Sequence, residues 1–113
     1  MISKYLISLF IITSTMAIEC VSETREYVDS NEVRVNREIL DVIFKTPQTT
    51  KLSADNANSS FNVTIEKEKI TSIISLGPDY TIGTLVTGEF DNQGKFKHTL
   101  VGPTYTSILT CIE

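Results

Sequence analysis

The chain contains few of the residues from which enzyme sites and metal sites are usually built. Its 113 residues include one histidine, two cysteines and no tryptophan. A zinc site needs three or four His, Cys or carboxylate ligands, and one histidine with two cysteines that can pair with each other does not supply them. The G-x-S-x-G motif of a serine nucleophile is missing, as is a glycine-rich loop for phosphates. We therefore predict no catalytic residue, no metal ion and no cofactor.

The chain also lacks a cluster of basic residues. Ten Lys and Arg residues stand against 14 Asp and Glu residues, which gives a formal net charge of −4. Proteins that bind nucleic acids owe much of their affinity to Lys and Arg side chains that neutralise phosphates. An anionic membrane surface attracts the same side chains. We therefore predict neither a nucleic acid nor a membrane as partner.

Residues 1–17 have the pattern of a cleavable signal peptide. Lys4 precedes an apolar run from Tyr5 to Ile12, and small and polar residues then lead to a plausible cleavage after Ala17. The run is shorter than the roughly 20 apolar residues of a membrane-spanning helix. The alternative is a buried N-terminal helix of the mature fold. We predict a secreted, extracellular protein whose remaining 96 residues form one domain.

Two cysteines lie near the two ends of the mature chain, at Cys20 and Cys111. In an oxidising compartment an even pair is most simply one disulfide. A closed loop of about 90 residues constrains the unfolded state by roughly 4–5 kcal/mol. The alternatives are free thiols, a bond to another chain, or a cleavage beyond Cys20 that leaves Cys111 unpaired. An intramolecular disulfide between the N-terminal and C-terminal regions is the prediction.

Two acceptor sequences for N-glycosylation follow the apolar N-terminus. Asn58-Ser59-Ser60 and Asn62-Val63-Thr64 both fit the N-x-[ST] pattern without proline. Asn58 lies in a polar stretch, residues 53–60, that is predicted to be an exposed loop. Asn62 lies in a predicted strand, where glycan transfer is less efficient. We predict a glycoprotein and leave open whether both sites are used.

Alternation of apolar and polar residues predicts strands over much of the chain. Phe61, Val63 and Ile65 alternate with polar residues, and the runs at 70–76, 81–90, 96–101 and 104–112 are rich in β-branched residues. Turn signals separate these runs. One of them, Asp91 to Gly94, is predicted to be a short hairpin loop.

The first third of the mature chain is harder to interpret. Residues 18–31 are acidic, show little periodicity and are predicted to be an extended N-terminal arm in front of a β domain at residues 32–113. Residues 33–44 fit both a helical and a strand pattern, and we favour one or two strands. The predicted fold is an all-β, small antiparallel sandwich or barrel of about six or seven short strands.

Two short motifs are informative: Arg34-Val35 followed by Glu38 and Leu40, and later Ile70-Thr71-Ser72-Ile73. They resemble the R-V…[DE]-x-L and I-T-x-I segments of the insect multiprotein bridging factor 2 family. The family's double-glycine turn and its aromatic-glycine ending have no clear equivalent here. The resemblance implies a secreted protein of insect haemolymph or gland secretions, and it assigns no catalytic residue.

These observations predict a secreted, non-enzymatic protein that acts by binding, of the body-fluid, salivary, venom or immune effector type. Its partner would be an extracellular protein or a small ligand, and the loops at 46–60, 77–80 and 91–95 are the expected binding regions. One alternative is a carrier of a small apolar ligand inside a β barrel. The other is a small secreted hydrolase that uses His98, although this histidine is predicted to be a partly exposed strand side chain.

Overall fold

A computed structural model describes residues 18–77 and 80–113, and the predicted signal peptide at residues 1–17 lies outside this part of the chain. The described residues form nine antiparallel strands and no helix, so the all-β prediction is confirmed. Sheet A has the strand order β2-β1-β9-β8, and sheet B has the order β3-β4-β5-β6-β7. The strands are β1 (Glu19–Asp29), β2 (Glu32–Ile39), β3 (Asp41–Lys45), β4 (Thr49–Asn56), β5 (Ser59–Glu66), β6 (Lys69–Leu76), β7 (Ile82–Glu89), β8 (Lys95–Val101) and β9 (Tyr105–Ile112).

The two sheets face each other as a sandwich with one core between them. Side chains from both sheets contribute to this core, among them Leu109 of sheet A and Phe61 of sheet B. Because alternate residues of a strand point to opposite faces, each sheet has an inner face towards the core and an outer face towards solvent. The described residues include no helix long and apolar enough to cross a membrane.

Residues 18–31 belong to the domain and are not an arm in front of it. The strand β1 pairs with β2 on one side and with β9 on the other, so it is an interior strand of sheet A. The backbone is extended as expected. The sequence did not indicate a paired strand here, because the inward residues after Cys20 include the polar Ser22 and Thr24 and so show no apolar alternation.

The ambiguous segment at residues 33–44 forms two strands, which confirms the strand interpretation. Leu40, buried in the core, separates β2 from β3, and its backbone N–H donates to the carbonyl oxygen of Cys20 at 2.9 Å. The chain passes from sheet A to sheet B at this residue. The apolar residues before Leu40 lie on the outer face of sheet A, and those after it belong to a strand of sheet B, so the segment fitted no single period.

Two turn predictions were wrong. The stretch predicted as a loop at 46–60 contains the strand β4, and only Ala57 and Asn58 separate this strand from β5. The segment from Asp91 to Gly94 is not a hairpin loop, because it joins β7 of sheet B to β8 of sheet A. The Asp91 carboxylate accepts hydrogen bonds from the backbone N–H groups of Lys95 and Gln93 in this turn, and these bonds, first that from Lys95, lower its pKa.

The disulfide prediction is confirmed. Cys20 and Cys111 lie directly opposite each other on the neighbouring strands β1 and β9, with their Cα atoms 4.0 Å apart. Both residues are fully buried and point into the core. The disulfide therefore joins the interior strands of sheet A, 91 residues apart in the chain.

Candidate functional site

Sheet B has the usual distribution of side chains for an antiparallel sheet with one solvated face. Its inner face is mostly apolar, and the outer residues of its central strands are mostly polar. Two buried hydroxyl groups, those of Ser59 and Ser72, lie on the inner face. The other buried apolar side chains of the inner face are Phe61, Ile65, Ile70, Ile74 and Leu76.

Sheet A has a larger share of polar side chains on its inner face and more exposed apolar side chains on its outer face. Its inner face combines the disulfide, Phe96 and Leu109 with a set of fully or almost fully buried polar side chains. Its outer face carries many of the exposed apolar side chains of the described residues. The buried polar residues of the inner face are Ser22, Thr24, His98 and Ser107.

The polar inner residues of sheet A are paired with polar groups of sheet B. The amide nitrogen of Asn56 donates to the carbonyl oxygen and hydroxyl of Ser22, at 3.3 and 3.2 Å, and to the carbonyl oxygen of Asn36 at 3.1 Å. The Thr24 hydroxyl donates to the carbonyl oxygen of Asn56 at 3.3 Å. A buried hydrogen bond also joins a serine of each sheet. These bonds allow sheet A to bury polar residues at little cost.

The outer face of sheet A is the main candidate for a functional surface. Its residues follow from the register, because side chains opposite each other on neighbouring strands share a face. Six of its apolar residues are between about half and 71% exposed. They are Tyr27, Val33, Val35, Ile39, Val101 and Ile112.

A partly buried carboxylate lies at the centre of this face. The side chain of Glu23 is 13% exposed and pairs with Arg37 of β2 at 2.7 Å and with Arg25 at 2.5 Å. The hydrogen bond from Arg37 is the largest cause that lowers the pKa of Glu23, and the bond from Arg25 acts in the same direction against the effect of burial. Both guanidinium groups remain largely exposed. The ion pairs thus hold two arginines in fixed positions within an apolar surface.

The outer face of sheet A is also more basic than the chain as a whole. Lys95 and Lys97 of β8 point to the same side as the two arginines, whereas Glu19 and Glu23 are the acidic residues on that side. Basic side chains therefore outnumber acidic ones here, although the chain has a net charge of −4. The face thus combines exposed apolar side chains with a local excess of basic ones.

His98 does not occupy the partly exposed position that the sequence predicted. It is 4% exposed, and its Nδ1 atom lies 2.7 Å from the hydroxyl of Ser72 on the facing sheet. Its Nε2 atom is buried and has no hydrogen-bond partner among the described residues. Desolvation lowers the pKa of His98 and so favours the neutral imidazole.

A close serine and histidine are two of the parts of a nucleophilic site. Ser72 is fully buried, however, and both side chains lie between the sheets. The two side chains are thus almost completely shielded from solvent. We therefore interpret the Ser72–His98 hydrogen bond as a contact that joins the two sheets.

The predicted glycosylation sites lie away from the outer face of sheet A. Asn58 is exposed in the turn between β4 and β5. Asn62 is exposed on β5, as expected for a strand position, and it points to the outer face of sheet B. In the same row of that face lie Ile73 and Leu85, two exposed apolar side chains.

Two depressions on the surface of the described residues are small. One of about 220 Å³ lies among Asp55, Ser60, Ser75 and Tyr80, and another of about 260 Å³ lies near Pro47. Pockets for small organic ligands typically have about 300–1,000 Å³ and enclose most of the ligand. The space between the sheets is filled by the core side chains described above. These observations give no support to the alternative of a ligand carrier.

No protein-family model, curated protein or solved structure matches this chain. The resemblance to the insect multiprotein bridging factor 2 family therefore stays a prediction. Among residues 18–77 and 80–113, no group of three or more His, Cys, Asp or Glu side chains is arranged to hold a metal ion. The outer face of sheet A was not identified from the sequence, although the alternating Val33, Val35, Arg37 and Ile39 were a signal for it.

Proposed function

We propose that the protein is a secreted, non-enzymatic binding protein and that the outer face of sheet A is its binding surface. The observation that carries the proposal is the combination, in sheet A, of buried polar side chains and exposed apolar ones. Polar residues fill positions in its inner face, while valine, isoleucine and tyrosine side chains are exposed on the outside. Apolar patches on the surface of a small protein mark interaction sites.

The proposed partner is an extracellular protein with an apolar surface that carries carboxylates. Arg25 and Arg37 lie among Val35, Ile39 and Tyr27, and Glu23 fixes the position of both guanidinium groups. Arginine and aromatic residues are enriched among the residues that dominate binding energies. Carboxylates of the partner would reach the exposed sides of the arginines, and the valines and isoleucines would pack against its apolar residues.

Secretion is supported by three separate features of the chain. The signal-peptide pattern at residues 1–17 precedes a domain with the disulfide Cys20–Cys111. Disulfides of this kind persist in oxidising compartments. The exposed positions of Asn58 and Asn62 suit glycosylation. Binding would thus take place in an extracellular fluid, in insect haemolymph or a gland secretion if the family resemblance holds.

The first experiment measures the intact mass of the protein after expression in a eukaryotic secretory system. The proposal predicts an N-terminus at Ile18, a loss of mass on deglycosylation, and two thiols that appear only after reduction. An intact Met1 with two free thiols would contradict secretion and with it the extracellular partner.

The second experiment compares two pairs of substitutions that are matched in chemistry. Val35→Thr/Ile39→Thr changes the outer face of sheet A, and Ile73→Thr/Leu85→Thr changes the outer face of sheet B. A partner is isolated from extracellular fluid with the wild-type protein, and its affinity for each variant is measured by surface plasmon resonance. We expect about a tenfold to hundredfold weaker affinity for the sheet A variant and little change for the sheet B variant. An equal loss in both, or no loss in the sheet A variant, rejects the proposed surface.

A further inference from the structure

The strand β2 is an edge of sheet A with one side unpaired. It runs for eight residues, Glu32–Ile39, and all of them are exposed. Its register with β1 is regular from Val33 to Ile39. A long and regular edge strand offers a row of free N–H and C=O groups to another strand.

The hydrogen bonds of sheet A show which groups of β2 are free. Leu40 donates its N–H to Cys20 of β1, so the even-numbered residues of β2 point their backbone groups towards β1. The N–H of Tyr27 donates to the carbonyl oxygen of Thr104, so the odd-numbered residues of β1 point their backbone N–H and C=O groups towards β9. The alternation of antiparallel pairing then leaves the backbone groups of the odd-numbered residues of β2 directed outward. These residues are Val33, Val35, Arg37 and Ile39.

The other edges of the sandwich are less suited to pairing. The strand β3 has only five residues, and its register shifts between Val42 and Phe44, as in a β-bulge. Such a bulge is a common way to protect an edge. At the opposite side of the sandwich, β8 carries Lys95 and Lys97, and lysines on an edge strand disfavour pairing with another strand. The strand β7 contains Gly83 and Gly88, which weaken a strand. β2 is therefore the edge best suited to a partner.

We infer that β2 pairs with β2 of a second copy of this chain to form a symmetric dimer. The proposed pairing is antiparallel with Asn36 opposite Asn36 of the second copy. This register is the one in which all four outward-directed residues find partners: Val33 lies opposite Ile39, and Val35 lies opposite Arg37. An isologous interface of this type closes after two copies.

The side chains of β2 fit this register on both faces. On the face that continues the inner side of sheet A, Arg34 lies opposite Glu38 of the second copy, and the two-fold axis creates this pair twice. Opposite charges directly across a strand pair stabilise it, and like charges destabilise it. On the outer face, Val33 meets Ile39, also twice. In the register shifted by two residues, Glu32 would lie opposite Glu38, so charge repulsion disfavours that arrangement.

The dimer would extend the binding surface proposed above. A two-fold axis perpendicular to the sheet places the outer faces of both copies on the same side of one continuous sheet. Val33, Val35 and Ile39 of the two copies would then lie side by side in its middle. The dimer does not depend on the extracellular partner, because it involves only the backbone and side chains of β2.

The test is sedimentation equilibrium of the purified, disulfide-bonded protein over a range of micromolar concentrations, without a partner. We expect a reversible monomer–dimer equilibrium. The key variant is Val35→Pro, which removes an N–H directed outward and keeps the hydrogen bonds to β1. We expect it to be monomeric with an unchanged circular dichroism spectrum. The matched control is Thr99→Pro, which removes an outward N–H from the edge strand β8 and should leave the dimer intact.

Two further variants test the register. Glu38→Arg should weaken the dimer at least about tenfold, and Arg34→Glu/Glu38→Arg should restore most of the affinity, because it reverses both charges of each pair. Asn36→Cys should form a disulfide between the substituted positions of two copies under mild oxidation. The control Glu32→Cys should not, because residue 32 lies away from the axis.

A monomer at all concentrations would overturn the inference, and so would a dimer that survives Val35→Pro or is lost equally in Thr99→Pro. A dimer whose affinity falls further in the double charge variant than in Glu38→Arg would reject the register. None of these results depends on whether an extracellular partner binds the outer face of sheet A. The failure of one proposal is thus distinguishable from the failure of the other.

Discussion

The two sheets of this sandwich differ in the polarity of the side chains that they bury and expose. Sheet B buries Phe61, Ile70 and Ile74 and turns polar side chains such as Asn62 and Thr64 outward. Sheet A buries Ser22, Thr24, Ser107 and His98 beside its disulfide and exposes valines and isoleucines. Hydrophobic burial stabilises folding roughly in proportion to the apolar area removed from water. Sheet A leaves part of its apolar area in contact with water and therefore gains less of this stabilisation.

Sheet A is stabilised in addition by a disulfide and by hydrogen bonds to sheet B. Its interior strands are joined by the disulfide, and its polar inner residues bond to Asn56, Ser59 and Ser72 of sheet B. The proposed binding surface is the exposed apolar face that these contacts support. The following substitutions separate the contributions of the two sheets.

The largest effect is expected from removal of the disulfide. In Cys20→Ala/Cys111→Ala the unfolded chain regains the freedom of a loop of 91 residues, which corresponds to about 4–5 kcal/mol. Urea denaturation followed by circular dichroism measures the free energy of unfolding. We expect the variant to be largely unfolded or close to it at 37 °C. A loss below about 1 kcal/mol would show that sheet A does not depend on the bond.

The next largest effect is expected in the core of sheet B. Phe61→Ala should lower the free energy of unfolding by about 3–5 kcal/mol, because the fully buried ring leaves a cavity. The control is Ile39→Ala on the outer face of sheet A, which is 61% exposed and should change stability by less than about 0.5 kcal/mol. The same denaturation experiment measures both variants. Equal losses in both would contradict the difference between the faces.

A smaller effect is expected from the hydrogen bonds between the sheets. Asn56→Ala removes the amide that bonds to Ser22 and to Asn36, and leaves the buried Ser22 hydroxyl without this partner. The expected loss is about 1–3 kcal/mol. The neighbouring exposed residue gives a control, since Asn58→Ala should be close to neutral. If Asn56→Ala is also neutral, the polar contacts do not hold sheet A in place.

The smallest effect is a dependence of stability on mild acid. Burial lowers the pKa of His98 in the folded protein, so the unfolded chain binds a proton at a higher pH than the folded one. The stability contribution is complete above the unfolded value of about 6.5 and declines as the pH falls through it. Glu23, whose pKa is also lowered, makes its contribution above about 4.3 and loses it at lower pH.

Denaturation midpoints between pH 7.5 and 5 test the effect of His98. The wild-type protein should lose stability over this range, and His98→Gln should show a flatter profile even if it is less stable overall. Identical slopes for the two proteins would mean that another group causes the dependence. Glu23→Gln should change the profile only at lower pH.

The sequence predicted those parts of the fold in which local pattern and burial agree. Phe61, Val63 and Ile65 alternate as a half-buried strand, and the cysteines near the two ends pair as expected. The strand β1 was missed because Ser22 and Thr24 are polar residues at buried positions. The inward positions of this strand therefore do not show the apolar residues by which a half-buried strand is recognised. The crossing from β7 to β8 was missed because a turn at Asp91 does not specify which sheet receives the next strand.

The candidate surface was beyond prediction for a related reason. The alternation of Val33, Val35 and Ile39 with polar residues predicts a strand with one apolar side, and apolar sides normally face a core. Only the register with β1 and β9 shows that these residues face solvent. His98 likewise became a buried contact only through its position opposite Ser72, 26 residues away in the chain.

Hydroxyl-radical footprinting with mass spectrometry tests whether the outer face of sheet A is covered by a partner in the extracellular fluid. Side-chain oxidation is measured on dilute purified protein and on tagged protein labelled within the extracellular fluid and then recovered. In the dilute protein, Ile39, Val101 and Ile112 should react readily and Phe61 should not. In the fluid, the account predicts strong protection of Val101 and Ile112, which lie outside the proposed dimer contact, and unchanged reactivity of Leu85 on sheet B. Protection of Leu85 with continued reactivity of Val101 and Ile112 would contradict the claim that sheet A carries the binding surface.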